Sequence, residues 1–549
     1  MKIALAQLNY IIGDFDGNTA KMLRALEDAK NSGADLVVFS ELAVTGYYPH
    51  DLLEKKEFIE KAGEAVARLA SACVGIAAVA GAPVLNENGK GKRLYNAAVF
   101  MSGGKVQSVH KKTLLPTYDV FDEYRHFEPN REFKIVEYKG ERIAVTICED
   151  LWDEQPTANE FARNRLYQVS PMEELAKLNP HLVVNLSASP FSYNQENWRK
   201  DVLITKARRH RLPIVYVNQT GAQAELIFDG GSVFIDNRGE IIKELKYFEE
   251  DLVVVDTNNP GDKQLQPSSD RIDKIYNALI LGIRDYFSKM NFRQATLGLS
   301  GGIDSAVVAV LAAHALGSEN IRVLLLPSRY SSDHSVDDAL KLARNLGVQH
   351  NTLPIQDAVN AFDKSLEPLF EGTSPGVAEE NIQARARGIF LMALSNKFGH
   401  ILLNTTNKSE CAVGYGTLYG DMNGGLAVLG DVYKTDVYRL ARYINRNSEI
   451  IPENSILKPP SAELRPGQKD TDSLPEYEIL DAILSGYIED NLSPQEIAKK
   501  GFDPQLVDKV IHMVNINEYK RFQAAPILRI SSKAFGFGRK MPLVFRSTL

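Results

Sequence analysis

The run Leu297-Gly298-Leu299-Ser300-Gly301-Gly302-Ile303-Asp304-Ser305 decides how the chain is read. A strand-like apolar segment, Ala295 to Leu299, enters it, and an Ala/Val-rich helical segment, Ser305 to Leu316, leaves it. Small residues at such a junction let the backbone come close to a ligand. The helix that follows begins with N–H groups lacking intrahelical partners and with the positive end of its dipole. The junction is therefore suited to phosphate. It is not a Walker loop, which needs Gly-Lys-Ser/Thr after its second glycine, because no lysine follows here. A lone Ser-Gly-Gly reads equally well as an ordinary turn, but the full SGGxDS run is far more specific.

SGGIDS resembles the pyrophosphate loop of the N-type ATP pyrophosphatases, which split ATP between its α and β phosphates and adenylate a carbonyl oxygen. The resemblance implies ATP contacts from Gly298, Leu299, Ser300, Gly301, Gly302, Ile303, Asp304 and Ser305. It also implies that the loop holds the leaving pyrophosphate and that Asp304 reaches Mg²⁺. A hard cation bridging phosphate oxygens is what such chemistry requires.

The chain has 549 residues, too many for one ordinary core, so two large domains are expected. Residues 1–255 and 270–549 form them in this reading. Residues 256–269, rich in Asn, Pro, Gly, Gln and Ser and without periodicity, form a linker. Apolar residues make up 44% and charged residues 24%, and the net charge is −7. That balance fits a globular protein and argues against a nucleic-acid-binding surface. No apolar run approaches the roughly 20 residues of a membrane span. The start, MKIALAQLNYIIGD, reads as strand and loop rather than signal peptide. Three cysteines (Cys73, Cys148, Cys411) without a CxxC pattern suggest a reducing compartment. A cytoplasmic enzyme is expected.

In the first half, Lys2 to Leu8 alternates as a strand, and Asn18 to Ala29 is an amphipathic helix with Asp16 or Asn18 as its cap. Strands are expected at 35–40, 74–80, 97–101, 106–110, 142–147, 182–186, 213–217 and 232–236. Strands alternating with helices indicate an α/β layered domain. Three polar residues stand at strand ends or in loops: Glu41, Lys112 and Cys148. Singly, each has a bland reading as a solvated charge or a core thiol. Together they make coherent chemistry, because strand ends in α/β folds converge on one edge. A thiolate attacks an amide carbonyl, a carboxylate carries the proton, and an ammonium stabilises the oxyanion.

The contexts FSELAVTGY around Glu41, HKKTLLP around Lys112 and ICEDLW around Cys148 resemble those of the nitrilase, or carbon–nitrogen hydrolase, superfamily. The resemblance covers roughly residues 1–255 and implies a four-layer α-β-β-α sandwich. It implies catalytic roles for Glu41, Lys112 and Cys148, with Glu123 as a supporting glutamate. It implies glutamine contacts from Tyr118, Ser189 and position 195. Position 195 is often basic in relatives but is Gln195 here, which makes Arg199 a nearby candidate for the glutamine carboxylate.

In the second half, Arg271 to Phe287 carries a helical stripe of Ile272, Ile275, Leu279 and Ile283. Strands at 321–326 and 401–404 and helices at 333–345 and 379–398 imply a doubly wound parallel sheet. The runs ENIQARAR, TTNKSE, GYGTLYGD and KPPSAEL, in this order after SGGIDS, resemble the NAD⁺ synthetase branch of the pyrophosphatases. That resemblance adds Thr405 to the ATP contacts and Glu410 to the Mg²⁺ ligands. It gives Asn381, Glu410 and Lys520 to deamido-NAD⁺. Asn404 stands where relatives commonly have Gly.

The two halves explain each other, since one would release ammonia from glutamine and the other would need ammonia to displace an adenylated carboxylate. The expected reaction converts deamido-NAD⁺, ATP and glutamine to NAD⁺, AMP, pyrophosphate and glutamate. An enclosed ammonia route and a homo-oligomer are expected with it, and no nucleic-acid or membrane partner. Another amidotransferase of the same loop class, forming GMP or an amidated tRNA base, is one competing reading. The nitrilase-type half argues against it. A non-enzymatic scaffold is the other, and intact Glu41, Lys112, Cys148 and SGGIDS argue against that.

Overall fold

The computed structural model describes residues 1–154, 166–193 and 195–545, with the side chains of Gln195 and Glu196 also left aside. The chain divides into two compact units, Met1–Ser268 and Ser269–Leu549.

The first unit contains strands β1 (Lys2–Gln7), β2 (Leu36–Val38), β3 (Ala77–Leu85), β4 (Leu94–Ser102), β5 (Lys105–Lys111), β6 (Ile135–Tyr138), β7 (Glu141–Ile147), β8 (Leu182–Ser187), β9 (Ile214–Asn218), β10 (Thr220–Gln223), β11 (Leu226–Asp229), β12 (Val233–Ile235), β13 (Ile241–Glu244) and β14 (Asp251–Asp256). Its helices are α1 (Phe15–Asn31), α2 (Lys56–Ala72), α3 (Pro171–Ala176) and α4 (Gln195–His210). Two six-stranded sheets form, in the orders β14-β1-β2-β3-β4-β5 and β13-β12-β9-β8-β7-β6. Each has a parallel centre, β1-β2-β3 and β7-β8-β9, with antiparallel strands outside it.

Alternation along the strands makes the layers, because successive side chains point to opposite faces. Ile3, Leu5, Leu36, Val38, Ala77 and Val79 face Ile143, Val145, Leu182, Val184, Val215 and Val217 between the sheets. Ala4, Ala6, Val37 and Ala78 face α1 and α2. Ala144, Val183 and Ile214 face α3 and α4. The result is the expected α-β-β-α sandwich.

Local boundaries differ from the sequence reading. Helix α1 begins at Phe15 and is capped by Asp14, whose carboxylate accepts from the Gly17 amide at 2.9 Å, so neither Asp16 nor Asn18 is the cap. Asn18 is drawn inward instead, bridging the Ile11 backbone through its amide. The strand expected at 74–80 is shifted to β3, since Cys73 ends helix α2 first. Beyond Asp256, which ends β14, the stretch expected as a linker forms no strand or helix, yet it is tied to β13. The Gln264 amide donates to the Ile242 carbonyl and the Gln264 carbonyl accepts from Glu244, both at 2.9 Å. Lys243 donates to the Asp262 carbonyl at 2.8 Å.

The second unit opens with α5 (Arg271–Lys289), capped by Asp270. Then follow β15 (Ala295–Gly298), α6 (Ile303–Leu316), β16 (Ile321–Leu325), α7 (Asp333–Leu346), β17 (Gln349–Thr352), α8 (Gln356–Phe370), α9 (Val377–Phe398), β18 (Ile401–Asn404), α10 (Lys408–Val413), β19 (Leu426–Ala427) and α11 (Lys434–Ile444). The sheet order is β17-β16-β15-β18-β19, every pairing parallel. The chain winds outward from β15 in one direction and then in the other. The switch point between β15 and β18 opens a crevice at their carboxyl ends, where ligands bind in open α/β sheets. Helical residues after 476 add a separate apolar cluster around Leu480, Ile483, Val507 and Val510. Among the described residues, no helix is long and apolar enough to cross a membrane.

Leu5 is fully buried between the sheets, on a central strand away from the polar strand ends. Replacing it with Ala should cost the first unit about 2–5 kcal/mol, read as a lowered midpoint in chemical denaturation.

Candidate functional site

Glu41, Lys112, Glu123 and Cys148 come together in the first unit, all buried. Glu41 lies just beyond β2, Lys112 just beyond β5 and Cys148 at the end of β7, while Glu123 sits in a short 3-10 turn (Glu123–Arg125). The Lys112 ammonium donates to Glu41 Oε1 at 2.7 Å and to Glu123 Oε1 at 2.8 Å. Asn96, from β4, donates to Glu41 Oε1 at 2.7 Å and to Glu123 Oε2 at 3.3 Å. The Tyr47 hydroxyl donates to Glu123 at 2.8 Å, and the Ala188 amide donates to Glu41 Oε2 at 3.1 Å. Gly81 in β3 makes room for this, since a Cβ there would lie 2.1 Å from the Leu42 amide nitrogen.

Cys148 has φ +42°, in the left-handed region that non-glycine residues rarely adopt. Asp150 fastens the turn around it. One carboxylate oxygen accepts from the Thr113 and Leu114 amides, both at 2.9 Å, and the other from Ile147 at 3.0 Å. The loop after Lys112 and the turn of Cys148 are thus locked to one side chain.

Electrostatics follow from burial. Burial raises the Glu41 carboxyl to about 7, with Lys112 opposing and Glu123 adding to the shift. Burial and the Glu41 charge push the Cys148 thiol well above its ordinary value, against the pull of Lys112. Burial alone would lower Lys112, but Glu123 and Glu41 hold it well above the usual lysine range. The group therefore stores its proton on the thiol and offers a carboxylate to receive it.

The other first-unit expectations separate. The Tyr118 hydroxyl donates to Glu149 at 2.9 Å, and Tyr167 donates to the same carboxylate at 2.9 Å. Burial raises Glu149 to about 7. The Ser189 backbone is held by the Asn218 side chain, through its amide at 2.9 Å and its carbonyl at 3.2 Å. The side chain of Gln195 lies outside the described residues. Arg199 is buried and paired in a fork with Asp229 at 3.0 and 2.7 Å, so its guanidinium is committed to a structural partner.

In the second unit a cavity of about 310 Å³ opens at the switch point. Gly298, Leu299, Ser300, Gly302, Ile303, Asp304, Ser305, Thr405 and Glu410 line it. Gly301 does not. It turns away with φ +81°, and a Cβ there would lie 2.1 Å from the Ser335 carbonyl oxygen. Its smallness serves the packing of the loop on α7. The Ser305 hydroxyl lies 3.1 Å from that of Ser300, closing the loop on itself.

Asp304 and Glu410 face one another across Lys434. The Lys434 ammonium donates to Asp304 and lies 3.6 Å from Glu410 Oε1. Asn407 donates to Asp304 at 2.9 Å, and Glu410 and Asn407 cap α10 reciprocally. Burial and then the Asp304 charge raise the Glu410 carboxyl to about 8, against Lys434. Asn404 uses its side chain on the Asp421 and Asn423 carbonyls at 2.9 and 3.0 Å, anchoring the Gly-rich loop. Asn381 and Lys520 do not line the cavity. Asn381 accepts from Thr417 at 2.7 Å, and Lys520 donates to the Gly414 and Gly416 carbonyls at 2.7 and 2.8 Å. Both hold the loop Gly414–Asp421, whose Tyr415, Gly420 and Asp421 do line the cavity.

Several residues escape sequence reasoning. Asn96 carried a signal, a lone amide inside the apolar strand LYNAAVFM. Lys434 carried another, because a cation at the first position of a helix opposes the helix dipole. Arg387 and Lys458 also line the cavity and give it positive charge.

A buried thiol with a Glu–Lys pair in an α-β-β-α sandwich, carried on the same chain as a Gly-rich loop at the switch point of a parallel sheet, defines a two-domain enzyme class. The first part is of amide-hydrolysing type and the second of nucleotide-activating type. Comparison with known families agrees: residues 2–260 match the carbon–nitrogen hydrolase family and residues 275–524 the NAD synthase family. The chain is 46% identical over 551 residues to a glutamine-dependent NAD(+) synthetase of Synechocystis sp., covering 98% of each. It is 42% identical over 590 residues to one of Thermotoga maritima, covering 100% of this chain and 99% of that one. A solved structure of the Acinetobacter baumannii glutamine-dependent NAD+ synthetase, in complex with adenosine diphosphate, is similar with a TM-score of 0.78 and 40% identity, covering 99% of this chain and 98% of that one. The chain belongs to the glutamine-dependent NAD⁺ synthetase family.

Replacing Lys112 with Met should leave two buried carboxylates facing each other and cost about 3–5 kcal/mol of stability. With its cation gone, the Glu41 carboxyl, already raised by burial, titrates higher still in the folded state than in the unfolded chain. The folded variant then binds more protons, so its deficit relative to the parent should shrink as pH falls. Denaturation midpoints of both proteins, compared at mildly acidic and mildly alkaline pH, check this.

Proposed function

We propose that the chain makes NAD⁺ from deamido-NAD⁺ and ATP with ammonia taken from glutamine. The observation that carries this reading is that one chain holds both a buried Glu–Lys–Cys group and a phosphate-type loop at a switch point.

In the first unit, Glu41 takes the Cys148 proton and the thiolate attacks the glutamine carboxamide carbon. Lys112 stabilises the oxyanion, and Glu41 returns the proton to the departing ammonia. Water, deprotonated by Glu41, then cleaves the glutamyl thioester and frees glutamate. Glu123 acts as a positioning group by holding Lys112. Tyr118, Ser189 and Gln195 are assigned to glutamine, with Glu149 added because it gathers the hydroxyls of Tyr118 and Tyr167.

In the second unit, Gly298, Leu299, Ser300, Gly302, Ile303, Asp304, Ser305 and Thr405 receive ATP, with Gly301 setting the loop's path. Arg387 and Lys458 add positive charge for its phosphates. The nicotinate carboxylate of deamido-NAD⁺ attacks the α-phosphorus and pyrophosphate leaves. Ammonia then attacks the adenylated carbonyl carbon, and AMP leaves far more readily than oxide would. Deamido-NAD⁺ is assigned to Asn381, Glu410 and Lys520, the first and last acting through the loop Gly414–Asp421. Asp304 and Glu410 suit Mg²⁺: they are hard oxygen donors, and burial, with the Asp304 charge adding to it, raises Glu410 to about 8 even beside Lys434. When bound, Mg²⁺ would neutralise charge on phosphate oxygens.

Cys148→Ala should abolish NAD⁺ formation from glutamine and leave formation from ammonium intact. Loss of both in a folded variant would break the two-site reading. With the Glu41 carboxyl at about 7, the glutamine-driven rate should fall as pH drops below that value, because less carboxylate is present to take the thiol proton. A glutamine-driven profile flat between about pH 6 and 8 would remove Glu41 as the base. Gly301→Ala forces an L-residue into the left-handed region at about 1–2 kcal/mol and against Ser335. ADP affinity, measured calorimetrically, should drop about tenfold or more.

A further inference from the structure

Outside both sites, three ligand-type side chains converge in the first unit. Asp51 and Glu54 lie three residues apart in a 3-10 turn, His50–Glu54. With three residues per turn, such positions eclipse and their carboxylates point the same way. His126 follows the turn that carries Glu123, and its Nε2 lies 3.4 Å from Asp51 Oδ1 and 3.7 Å from Glu54 Oε1. The three ligand atoms all lie within 4.8 Å of one another.

The imidazole is oriented. Its side chain is only 6% exposed, and its buried Nε2 has no hydrogen-bond partner. Its Nδ1 lies 2.7 Å from the Tyr48 hydroxyl, which donates its own proton to the Asp122 carbonyl at 3.3 Å. In the tautomer whose Nδ1–H donates to the Tyr48 oxygen, a lone pair on Nε2 faces the two carboxylates, and this is the form that takes a cation. Arg125 stands nearby, at 2.9 Å from Asp51 and 3.8 Å from Glu54, but it is half exposed and does not hydrogen-bond to Nε2. Exposed pairs of this kind are weak.

We propose that His126, Asp51 and Glu54 form a binding site for one divalent transition-metal ion of the zinc class, which displaces Arg125. One imidazole nitrogen with two carboxylate oxygens suits Zn²⁺ rather than Mg²⁺, which prefers an all-oxygen shell. The bond from the second ring nitrogen is the outer-shell feature that fixes a ligating histidine. The ion would fasten the turn His50–Glu54 to the segment holding Glu123, whose carbonyl accepts from the His126 amide at 3.1 Å.

The test is calorimetric titration of the full-length chain with Zn²⁺, and separately with Mg²⁺. Zn²⁺ also reaches thiols, so the site is read as the difference between the parent chain and its variants. The expected result is a Zn²⁺ component weakened at least about tenfold in His126→Gln and in Asp51→Asn, tightened in Arg125→Gln, and not reproduced by Mg²⁺. If His126→Gln fails to fold, Asp51→Asn and Glu54→Gln at exposed positions carry the test. Unchanged Zn²⁺ isotherms in these variants, or equal Mg²⁺ binding at the same residues, would overturn the proposal.

Discussion

The Lys112 ammonium is enclosed between Glu41 and Glu123 with no exposed surface of its own. Moving three charges out of water costs several kcal/mol per ion, and only close geometry with further hydrogen bonds offsets it. The surrounding chain supplies those bonds from Asn96, Tyr47 and the Ala188 amide. It follows that the ends of β2, β5 and β8 and the turn of Glu123 must all meet there. The pair of carboxylates outweighs the single ammonium, and the remaining negative charge helps keep the Cys148 thiol protonated until a base acts. The architecture that assembles the group thus also sets its proton inventory.

The second unit uses a related device with a different outcome. Lys434, also buried, sits against Asp304 and Glu410. Here the charges border a cavity rather than a sealed core. The loop that shapes the cavity depends on a close approach: Gly301 against the Ser335 carbonyl. Glu463 continues that contact, accepting from the Ser332 and Ser335 hydroxyls at 2.9 and 2.7 Å. Through Glu463 the KPPSAEL run therefore holds the start of α7, on which the loop packs.

Much of this was legible residue by residue. Glu41, Lys112, Glu123 and Cys148 converge as the motifs suggested, and eight of the nine expected nucleotide-loop and Thr405 positions line one cavity. Where the placement differs from what the motifs suggested, the cause is shared. Arg199 was a plausible carboxylate binder until Asp229, thirty residues away, was seen to hold it. Asn381 and Lys520 support a loop rather than line the cavity, and Gly301 turns its back on it. The residues that went unnoticed, Asn96 and Lys434, are polar groups whose meaning comes entirely from what they face.

By itself the sequence indicated the alternation of strands and helices, the two layered α/β halves and the chemical type expected of each site. Periodicities of two and 3.6 residues, caps and short motifs are local, and they act through backbone geometry within a few residues of chain. Only the tertiary structure decided which charges neutralise one another, which glycine lines the cavity and which packs on a carbonyl, and where a buried imidazole nitrogen meets two carboxylates. Those outcomes depend on distances between residues as far apart in the chain as Lys112 and Glu41, separated by 71 positions. Solvent exclusion, which gives such pairs their strength, exists only once the core has closed around them.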